Sequence, residues 1–139
     1  MTLEDMARIH ARAMVHSVAW GAPTLKGFVE ARGALVIKAA NGFALGRVIA
    51  DEAELLTVAV DPDAQGKGIG RACLETFERE ARQKGAKRVF LEVSEQNVPA
   101  IRLYLSSGYI ETGRRADYYT APNGQKTDAI MMSKPLVSA

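Results

Sequence analysis

Residues 58–71 read VAVDPDAQGKGIGR, and this stretch decides how the surrounding chain folds. It begins as an apolar strand that stops at Asp61-Pro62, and it continues as a glycine-rich loop that leads into a helix. Glycine lets a backbone approach a ligand closely, and a helix start offers unpaired N–H groups at a positive dipole end. A strand, loop and helix of this kind therefore predict an anion site, most often one for phosphate or pyrophosphate.

Composition indicates a single globular domain, which we expect to span residues 1–139. The 18 basic and 16 acidic residues leave a net charge of +2, which is too balanced to indicate direct nucleic-acid binding. The one cysteine excludes an internal disulfide and a cysteine-based metal cluster. No segment has the apolar length of a membrane span, and residues 1–16 lack a signal-peptide core. We therefore expect a cytoplasmic protein with no membrane partner.

Hydrophobic periodicity and turn signals place helices and strands along the chain. The helices are predicted at 2–14, 25–31, 68–84 and 99–106, and the strands at 34–37, 43–50, 55–60, 88–93, from 109 onward, and 127–132. Thr2 with Asp5 can cap the first helix, and Gly85 is a stop signal for the third. Asn41-Gly42 predicts a hairpin between the first two strands. The strand-helix-strand unit over 55–93 should be a right-handed parallel crossover, and the other strands should pair antiparallel. The expected fold is α/β, with a mixed, mostly antiparallel central sheet and flanking helices.

Two common phosphate-binding loops do not fit this stretch. A P-loop needs Lys-Ser or Lys-Thr after its last glycine, but Arg71-Ala72 follows Gly70. A dinucleotide site needs three glycines at another spacing and a strand that ends in an acidic residue about 20 positions later. Antiparallel strands before the loop also argue against a dinucleotide-binding fold. An alternative interpretation is that the glycines only allow tight packing at a helix start.

The pattern Gln65-x-x-Gly68-x-Gly70 resembles the pyrophosphate loop of the GNAT acyltransferases, which bind acetyl-coenzyme A. Over residues 51–136 the chain further resembles the RimI-type N-alpha-acetyltransferases of that family, which acetylate the N-terminal alanine of a small-subunit ribosomal protein. The segments that carry this resemblance are AVDP at 59–62, LEV at 91–93, AIRLY at 100–104, RRADYY at 114–119 and DAIMM at 128–132. Family members usually begin with a short strand, which the resemblance implies is missing or truncated here.

The resemblance implies a GNAT fold and a site for acetyl-coenzyme A as cosubstrate. In that site, residues 58–60 would offer their backbone to the pantetheine arm, because their strand would splay from the next one, and residues 65–71 would hold the pyrophosphate. Asparagine at the position of Asn97 contacts the coenzyme in similar enzymes. The implied coenzyme-binding residues are Val58, Ala59, Val60, Gln65, Gly66, Lys67, Gly68, Ile69, Gly70, Arg71 and Asn97. Without the resemblance, Lys67 would be an ordinary surface lysine.

Glu92 is the candidate general base, because it interrupts an apolar strand where a carboxylate is costly unless it faces a wet cleft. The residues alone are equally consistent with a glutamate that is simply solvated or paired with a lysine, and the resemblance favours the catalytic role. An α-amine, with a reference pKa of about 7.7–8.0, loses its proton more easily than a lysine side chain at about 10.4. A carboxylate acting through water therefore suits a chain terminus as acceptor.

Tyr104 is the candidate general acid, since a phenol can donate a proton to a departing thiolate. The commoner fate of such a tyrosine is to pack its ring in the core, and the resemblance favours the catalytic role. Asn97, Ile101 and Tyr104 recur at helical spacing, which places them on one face. Direct transfer is expected, because the one cysteine lies on the apolar face of its helix and no serine-histidine pair is evident.

The segment RRADYY at 114–119, which we expect to follow the strand that begins at Tyr109, is a candidate peptide-binding groove, because aromatic and arginine side chains often anchor interfaces. Arg115, Tyr118 and Tyr119 are the candidate substrate-binding residues, and a polar hairpin with locally packed tyrosines is the alternative. His10, His16 and Cys73 carry no functional assignment, and no metal site is expected.

Three hypotheses about function follow from the residues and the resemblance. The first is acetyl transfer to a protein N-terminal amine, such as the alanine terminus of a ribosomal protein. The second keeps the fold but changes the acceptor to lysine side chains or small-molecule amines, because fold alone does not select an acceptor. The third is a non-catalytic module that binds acyl-coenzyme A.

Overall fold

A computed structural model describes residues 1–15 and 19–136 of the chain. The helices are α1 (Leu3–Ala13), α2 (Ala22–Glu30), α3 (Ile69–Gln83) and α4 (Val98–Ser106), and a 3₁₀ turn covers Pro62–Ala64. The strands are β1 (Ala34–Ala39), β2 (Gly42–Ile49), β3 (Glu52–Val60), β4 (Arg88–Ser94), β5 (Ile110–Thr120) and β6 (Lys126–Pro135). Each predicted element is present, and its ends differ from the prediction by a few residues.

The six strands form one sheet in the order β1-β2-β3-β4-β6-β5. β3 and β4 are parallel, whereas the other neighbouring strands are antiparallel. The expected mixed sheet with one parallel strand-helix-strand unit is therefore confirmed. Its crossover helix is α3, which starts at the glycine loop and ends before Gly85, a residue with φ of +95°.

Apolar clusters lie on both faces of the sheet. One cluster joins α3 to the sheet through Leu74, Phe77 and Leu91, and the other joins α1 and α2 through Met6 and Leu25. The start of α1 is held by a reciprocal capping box, in which the Thr2 side chain accepts from the Asp5 N–H and the Asp5 carboxylate accepts from the Thr2 N–H. This capping bears out the sequence prediction for residues 2 and 5.

The parallel pair β3–β4 is joined along only part of its length. Pairing runs from Glu52 opposite Arg88 to Leu55 opposite Leu91, while β3 continues to Val60. Beyond Leu55 the strands diverge, so the β4-facing edge of β3 is open toward its C-terminal end. The divergence that the family resemblance implied is therefore present in the structure.

A β-bulge in β3 sits next to this divergence. Leu45 of β2 lies opposite Thr57, and Gly46 lies opposite Leu55, so Leu56 has no partner across the β2–β3 pair. An inserted residue of this kind reverses which face the following side chains occupy. The bulge thus decides which side chains of β3 face α3 and which face α1 and α2.

One prediction about the sequence segment 114–119 is wrong in its placement. It was expected to follow the strand that starts at Tyr109, but it lies inside the long edge strand β5. The strand continues through an irregularity: the pairing with β6 shifts register between Arg115 and Tyr119, and Asp117 within this stretch has a φ of +51°. The backbone N–H of Asp117 donates to Asp128 Oδ1 at 3.0 Å, and this hydrogen bond stabilises the irregular stretch of β5.

A buried polar network fastens α3 to the strands beyond β4. The Tyr109 hydroxyl donates to Glu78 Oε2 at 2.9 Å, and the Lys134 ammonium pairs with Glu78 Oε1 at 2.9 Å. We expect Tyr109→Phe to lower the free energy of unfolding by about 1–3 kcal/mol, because a buried carboxylate oxygen loses its donor. Urea denaturation would measure this loss, with Tyr118→Phe as the exposed control. Equal stability of the two variants would contradict the role given to the network.

In the described ranges, no helix combines the length and the apolar character that a bilayer crossing requires.

Candidate active site

A cavity of about 760 Å³ opens at the glycine loop. It is bounded by the end of α1, the end of β3, the loop, the start of α3 and the length of α4. Its lining includes the predicted residues Val58, Val60, Gln65, Gly66, Gly68, Ile69, Gly70, Arg71 and Asn97. The cavity therefore gathers most of the residues predicted to bind the coenzyme. The side chains of Ala59 and Lys67 stand apart from it: Ala59 is buried in the cluster with α1, and Lys67 is exposed.

The loop has the backbone conformation that its glycines predict. Gly66 and Gly68 have φ of +80° and +82°, values that L-residues other than glycine adopt at a cost. Gly68 is the N-cap of α3 and provides no side-chain cap, so the first-turn N–H groups remain available to a ligand. The Gln65 side-chain amide donates to the Val60 carbonyl at 3.1 Å, which ties the loop to the end of β3.

Arginine side chains give this cavity a positive character. Arg71 donates to Ser106 and Ser107 hydroxyls at 2.6 and 3.2 Å, so these contacts hold the side chain without neutralising its charge. Arg102 also lines the cavity. Arg12, by contrast, forms ion pairs with Asp61 and Asp63 that join α1 to the turn after β3. The loop N–H groups, the helix dipole and these charges together suit a phosphorylated ligand.

A second cavity of about 260 Å³ adjoins the first one. The predicted residues Glu92, Tyr104, Tyr118 and Tyr119 line it, and none of the glycine-loop residues does. Five residues line both cavities: Met14, Val58, Asn97, Ala100 and Tyr104. The two cavities therefore meet beside the open edge of β3, with Tyr104 at the junction.

Glu92 lies in the second cavity with its side chain 24% exposed. Leu91 and Val93 belong to the cluster with α3, so strand alternation turns Glu92 toward the opposite face. Arg115 Nε contacts Glu92 Oε1 at 3.1 Å, and the Arg115 guanidinium also lies 5.3 Å from the Tyr118 ring centre. The carboxylate is thus held in position by a cation while it borders the cavity.

Tyr104 is buried on α4, and its ring centre lies 5.7 Å from that of Tyr109. Burial, with a further contribution from nearby Tyr119, raises the pKa of the Tyr104 phenol above its ordinary value. The phenol is therefore protonated at neutral pH, as a proton donor must be. Burial and the neighbouring Glu92 charge raise the pKa of Tyr119 to about 12.

Tyr118 and Tyr119 form the outer wall of the second cavity. Their rings pack edge to face with centres 5.2 Å apart, and Tyr118 is half exposed. Adjacent residues of a regular strand point to opposite faces, so the bulge at Asp117 is what lets both rings border one cavity. The predicted substrate-binding residues are therefore brought together with Glu92.

Sequence reasoning missed part of this cavity, including His10, Trp20 and Thr57. The His10 and Trp20 rings stack with centres 4.8 Å apart, and the Trp20 backbone N–H donates to His10 Nδ1 at 3.0 Å. Burial lowers the pKa of His10 to about 4, so the imidazole is neutral near pH 7 and its proton lies on Nε2. The pairing spans a helix and a following loop, and no local spacing signals it.

Metal-ligating residue types form no suitable group of three or more within residues 1–15 and 19–136. His16 lies outside the described residues. Cys73 is buried on the α3 face that packs on the sheet, as expected.

Comparison with known proteins assigns the family. The model of the acetyltransferase (GNAT) family matches residues 9–109. The [ribosomal protein bS18]-alanine N-acetyltransferase of Escherichia coli K12 is 37% identical over an alignment that covers 97% of this chain and 93% of that protein.

Solved structures agree with this assignment. The E. coli ribosomal-protein-S18-alanine N-acetyltransferase superimposes with a TM-score of 0.85 at 34% identity, covering 99% of this chain and 89% of that one. A nourseothricin acetyltransferase superimposes with a TM-score of 0.63 at 31% identity over 70% of this chain and 58% of that one. These relatives favour an enzyme over the non-catalytic module. The chain therefore belongs to the GNAT family and is an acyltransferase with the GNAT fold.

Proposed function

We propose that this enzyme transfers an acetyl group from acetyl-coenzyme A to the N-terminal α-amine of a protein, most specifically the N-terminal alanine of a small-subunit ribosomal protein. The observation that carries the proposal is the meeting of two cavities at Tyr104, one with an anion-binding loop and one with Glu92. The Escherichia coli relatives reported above, whose names specify alanine of ribosomal protein S18, support the identity of this acceptor.

The larger cavity fits the coenzyme. Loop N–H groups at residues 66–70 and the start of α3 would bind the pyrophosphate, with Arg71 adding charge. Beyond Leu55 the edge of β3 is not paired with β4, so an extended pantetheine arm can add to it like a strand, although the Val60 carbonyl already accepts from Gln65. Asn97 caps α4 by accepting from the Ala100 N–H at 3.4 Å, which places its side chain at the junction of the cavities.

Two side chains would move the protons of the reaction. Amide formation from a thioester requires removal of a proton from the amine and delivery of one to the leaving sulfur. Glu92 would accept the amine proton through water, because it lines the smaller cavity, in which the acceptor amine would bind. Tyr104 would donate to the sulfur, because it borders both cavities and its raised pKa keeps it protonated. A backbone N–H near Val60 would polarise the thioester carbonyl.

The smaller cavity suits a peptide terminus. Aromatic walls from Tyr118, Tyr119 and Trp20 offer apolar contact. Arg115 does not line the cavity, and it acts there only through its ion pair with Glu92. A small first side chain such as alanine is compatible with a cavity of about 260 Å³ that also contains the α-amine. The lower reference pKa of an α-amine also makes its deprotonation by a carboxylate easier than that of lysine.

An acceptor panel would test the proposal directly. Purified enzyme would be given acetyl-coenzyme A with peptides that begin with alanine, serine, glycine or methionine, with peptides whose only amine is lysine, and with small amines. Mass spectrometry would locate the acetyl group. We expect the alanine-initiated peptide of the ribosomal protein to react fastest, on its α-amine.

A small-molecule acceptor is the second candidate, favoured by the likeness to nourseothricin acetyltransferase at 31% identity. That likeness covers 70% of this chain, whereas the ribosomal-protein enzyme aligns with 97% of it. A clear preference for small amines in the panel would overturn the N-terminal assignment. A preference for lysine-only peptides would overturn it as well.

The glycine loop provides a prediction about coenzyme binding. We expect Gly68→Ala to raise the KM for acetyl-coenzyme A by about tenfold or more, because the new Cβ strains the positive φ and disturbs charge-assisted bonds to phosphate. Gly124→Ala is the matched control, since its φ is +85° and it lies in the β5–β6 turn. Both variants should lose similar stability in thermal denaturation. An unchanged KM in Gly68→Ala would remove the loop from the coenzyme site.

A further inference from the structure

Thr57 presents a buried hydroxyl that the fold does not use. Its side chain is on β3, the residue is 5% exposed, and it lines the cavity that contains Glu92. Within the described residues, Thr57 Oγ1 is the one fully buried side-chain polar atom that lacks a hydrogen-bond partner. A buried hydroxyl without a partner costs stability, so its presence calls for an explanation outside the fold.

The β3 bulge directs this hydroxyl. Thr57 lies opposite Leu45, and Leu45 packs in the cluster with α1 and α2. Directly opposed residues of an antiparallel pair share a face, so Thr57 faces the same side as Leu45. Glu92 also faces that side, and both residues line the same cavity. In a strand without a bulge, Thr57 would share the face of Leu55, which packs in the cluster with α3.

Position along β3 connects Thr57 with the reacting atoms of the proposed reaction. Thr57 immediately precedes Val58, which borders both cavities, and it lies beyond Leu55, where pairing with β4 stops. An attacking nitrogen must come within about 3–3.5 Å of the thioester carbon held along this open edge. The nitrogen would therefore approach from the Glu92 side, next to the Thr57 hydroxyl.

We propose that Thr57 Oγ1 accepts a hydrogen bond from an N–H of the acceptor amine and orients its lone pair toward the thioester. This inference rests on the proposed acetyl transfer to an amine. Thr57 is a binding residue for the acceptor, and Glu92 remains the group that takes the proton. The hydroxyl has one donor and two acceptor sites, so it can serve the amine without a change of its own protonation.

The substitution Thr57→Val separates a structural role of the hydroxyl from a functional one. Loss of a structural hydroxyl would lower the stability, whereas loss of a functional one would lower the activity. Valine has nearly the same shape, and the substitution replaces only the hydroxyl, by a methyl group. Because the hydroxyl has no protein partner, we expect the unfolding temperature of Thr57→Val to equal or exceed that of the wild type. We expect kcat/KM for the acceptor to fall about tenfold or more, since one hydrogen bond to the reacting nitrogen is lost. Thr57→Ser should retain kcat/KM within about threefold.

Thr127→Val is the matched control for stability. Thr127 is also buried on a strand, but its hydroxyl hydrogen-bonds with Ser94 Oγ at 3.2 Å. We expect Thr127→Val to lower the unfolding temperature, because Ser94 loses its partner. A lower unfolding temperature in both valine variants would overturn the claim that the fold leaves Thr57 unused.

The experiment first identifies the acceptor that the wild type prefers and then compares variants on that acceptor. Failure of the proposed function would appear in the wild type, as a preference for amines other than protein termini. Failure of the Thr57 inference would appear as equal kcat/KM for Thr57→Val and wild type on the preferred acceptor. Unchanged acetyl-coenzyme A affinity by calorimetry is expected. A weakened coenzyme affinity, or a pH profile altered in the same way as in Glu92→Gln, would also overturn it.

Discussion

Glu92→Gln is expected to reduce kcat/KM for the preferred acceptor by about a hundredfold to ten-thousandfold, which is the usual contribution of a general base. Glutamine keeps the size of the side chain and a hydrogen-bond acceptor near Arg115, but it cannot take a proton. Acetyl-coenzyme A should bind the variant as it binds the wild type, because Glu92 lines only the second cavity, which none of the glycine-loop residues lines. Steady-state kinetics and isothermal titration calorimetry would measure the two effects separately.

Glu95→Gln is the matched control for this substitution. Glu95 follows the same strand and also pairs with an arginine, since its Oε2 lies 3.3 Å from Arg114 Nη1, but it lines neither cavity. Partly exposed ion pairs of this kind contribute about 0–1 kcal/mol, so both variants should unfold near the wild-type temperature. Full activity of Glu92→Gln, or equal losses in both variants, would remove Glu92 from the proton path.

Tyr104→Phe is expected to lower kcat by about a hundredfold or more, because the leaving sulfur loses its proton donor. The ring and its packing beside Tyr109 remain, so coenzyme affinity and folding stability should change little. Since the pKa of Tyr104 is raised, the wild type should not lose activity through this phenol as pH rises from 7 toward 10. A pH profile and rapid-quench kinetics would test both statements.

Tyr109→Phe separates the catalytic role from the structural one. Its ring packs against Tyr104, but its hydroxyl is engaged with Glu78, away from both cavities. Loss of stability with retained kcat in Tyr109→Phe, and the reverse in Tyr104→Phe, is the expected pattern. If Tyr104→Phe instead loses stability and retains kcat, the phenol belongs to the core.

Secondary structure was predictable because its signals are local. The Thr2–Asp5 capping box, the Asn41-Gly42 turn and the glycine stop at Gly85 each act over a few residues, and each is present in the structure. The misplaced segment 114–119 shows the limit of local signals. Its bulge depends on Asp128, which accepts from the Asp117 N–H across the β5–β6 pair.

The candidate site was partly predictable for the same reason. Glycines 66, 68 and 70 lie within five residues of one another and line the same cavity, so their spacing alone indicates an anion site at a helix start. Arg12 and Arg102 were missed, because nothing near them in sequence marks them as lining that cavity. Lys67 shows the reverse: the family resemblance implies a role in coenzyme binding, whereas its side chain is exposed and lines neither cavity.

Periodicity, turn residues and the glycine loop thus predict, from the amino-acid order alone, a mixed α/β fold with an anion site at a helix start. The tertiary structure decides which side chains come together at the candidate site. Glu92, Tyr104 and Tyr118 come from three successive elements, β4, α4 and β5, and they line one cavity beside the edge that opens where β3 and β4 diverge after Leu55. The face to which the Thr57 side chain points depends on the bulge at Leu56, and this bulge is defined by the pairing of β3 with β2. Such juxtapositions arise from pairing and packing between distant segments, which local sequence patterns do not encode.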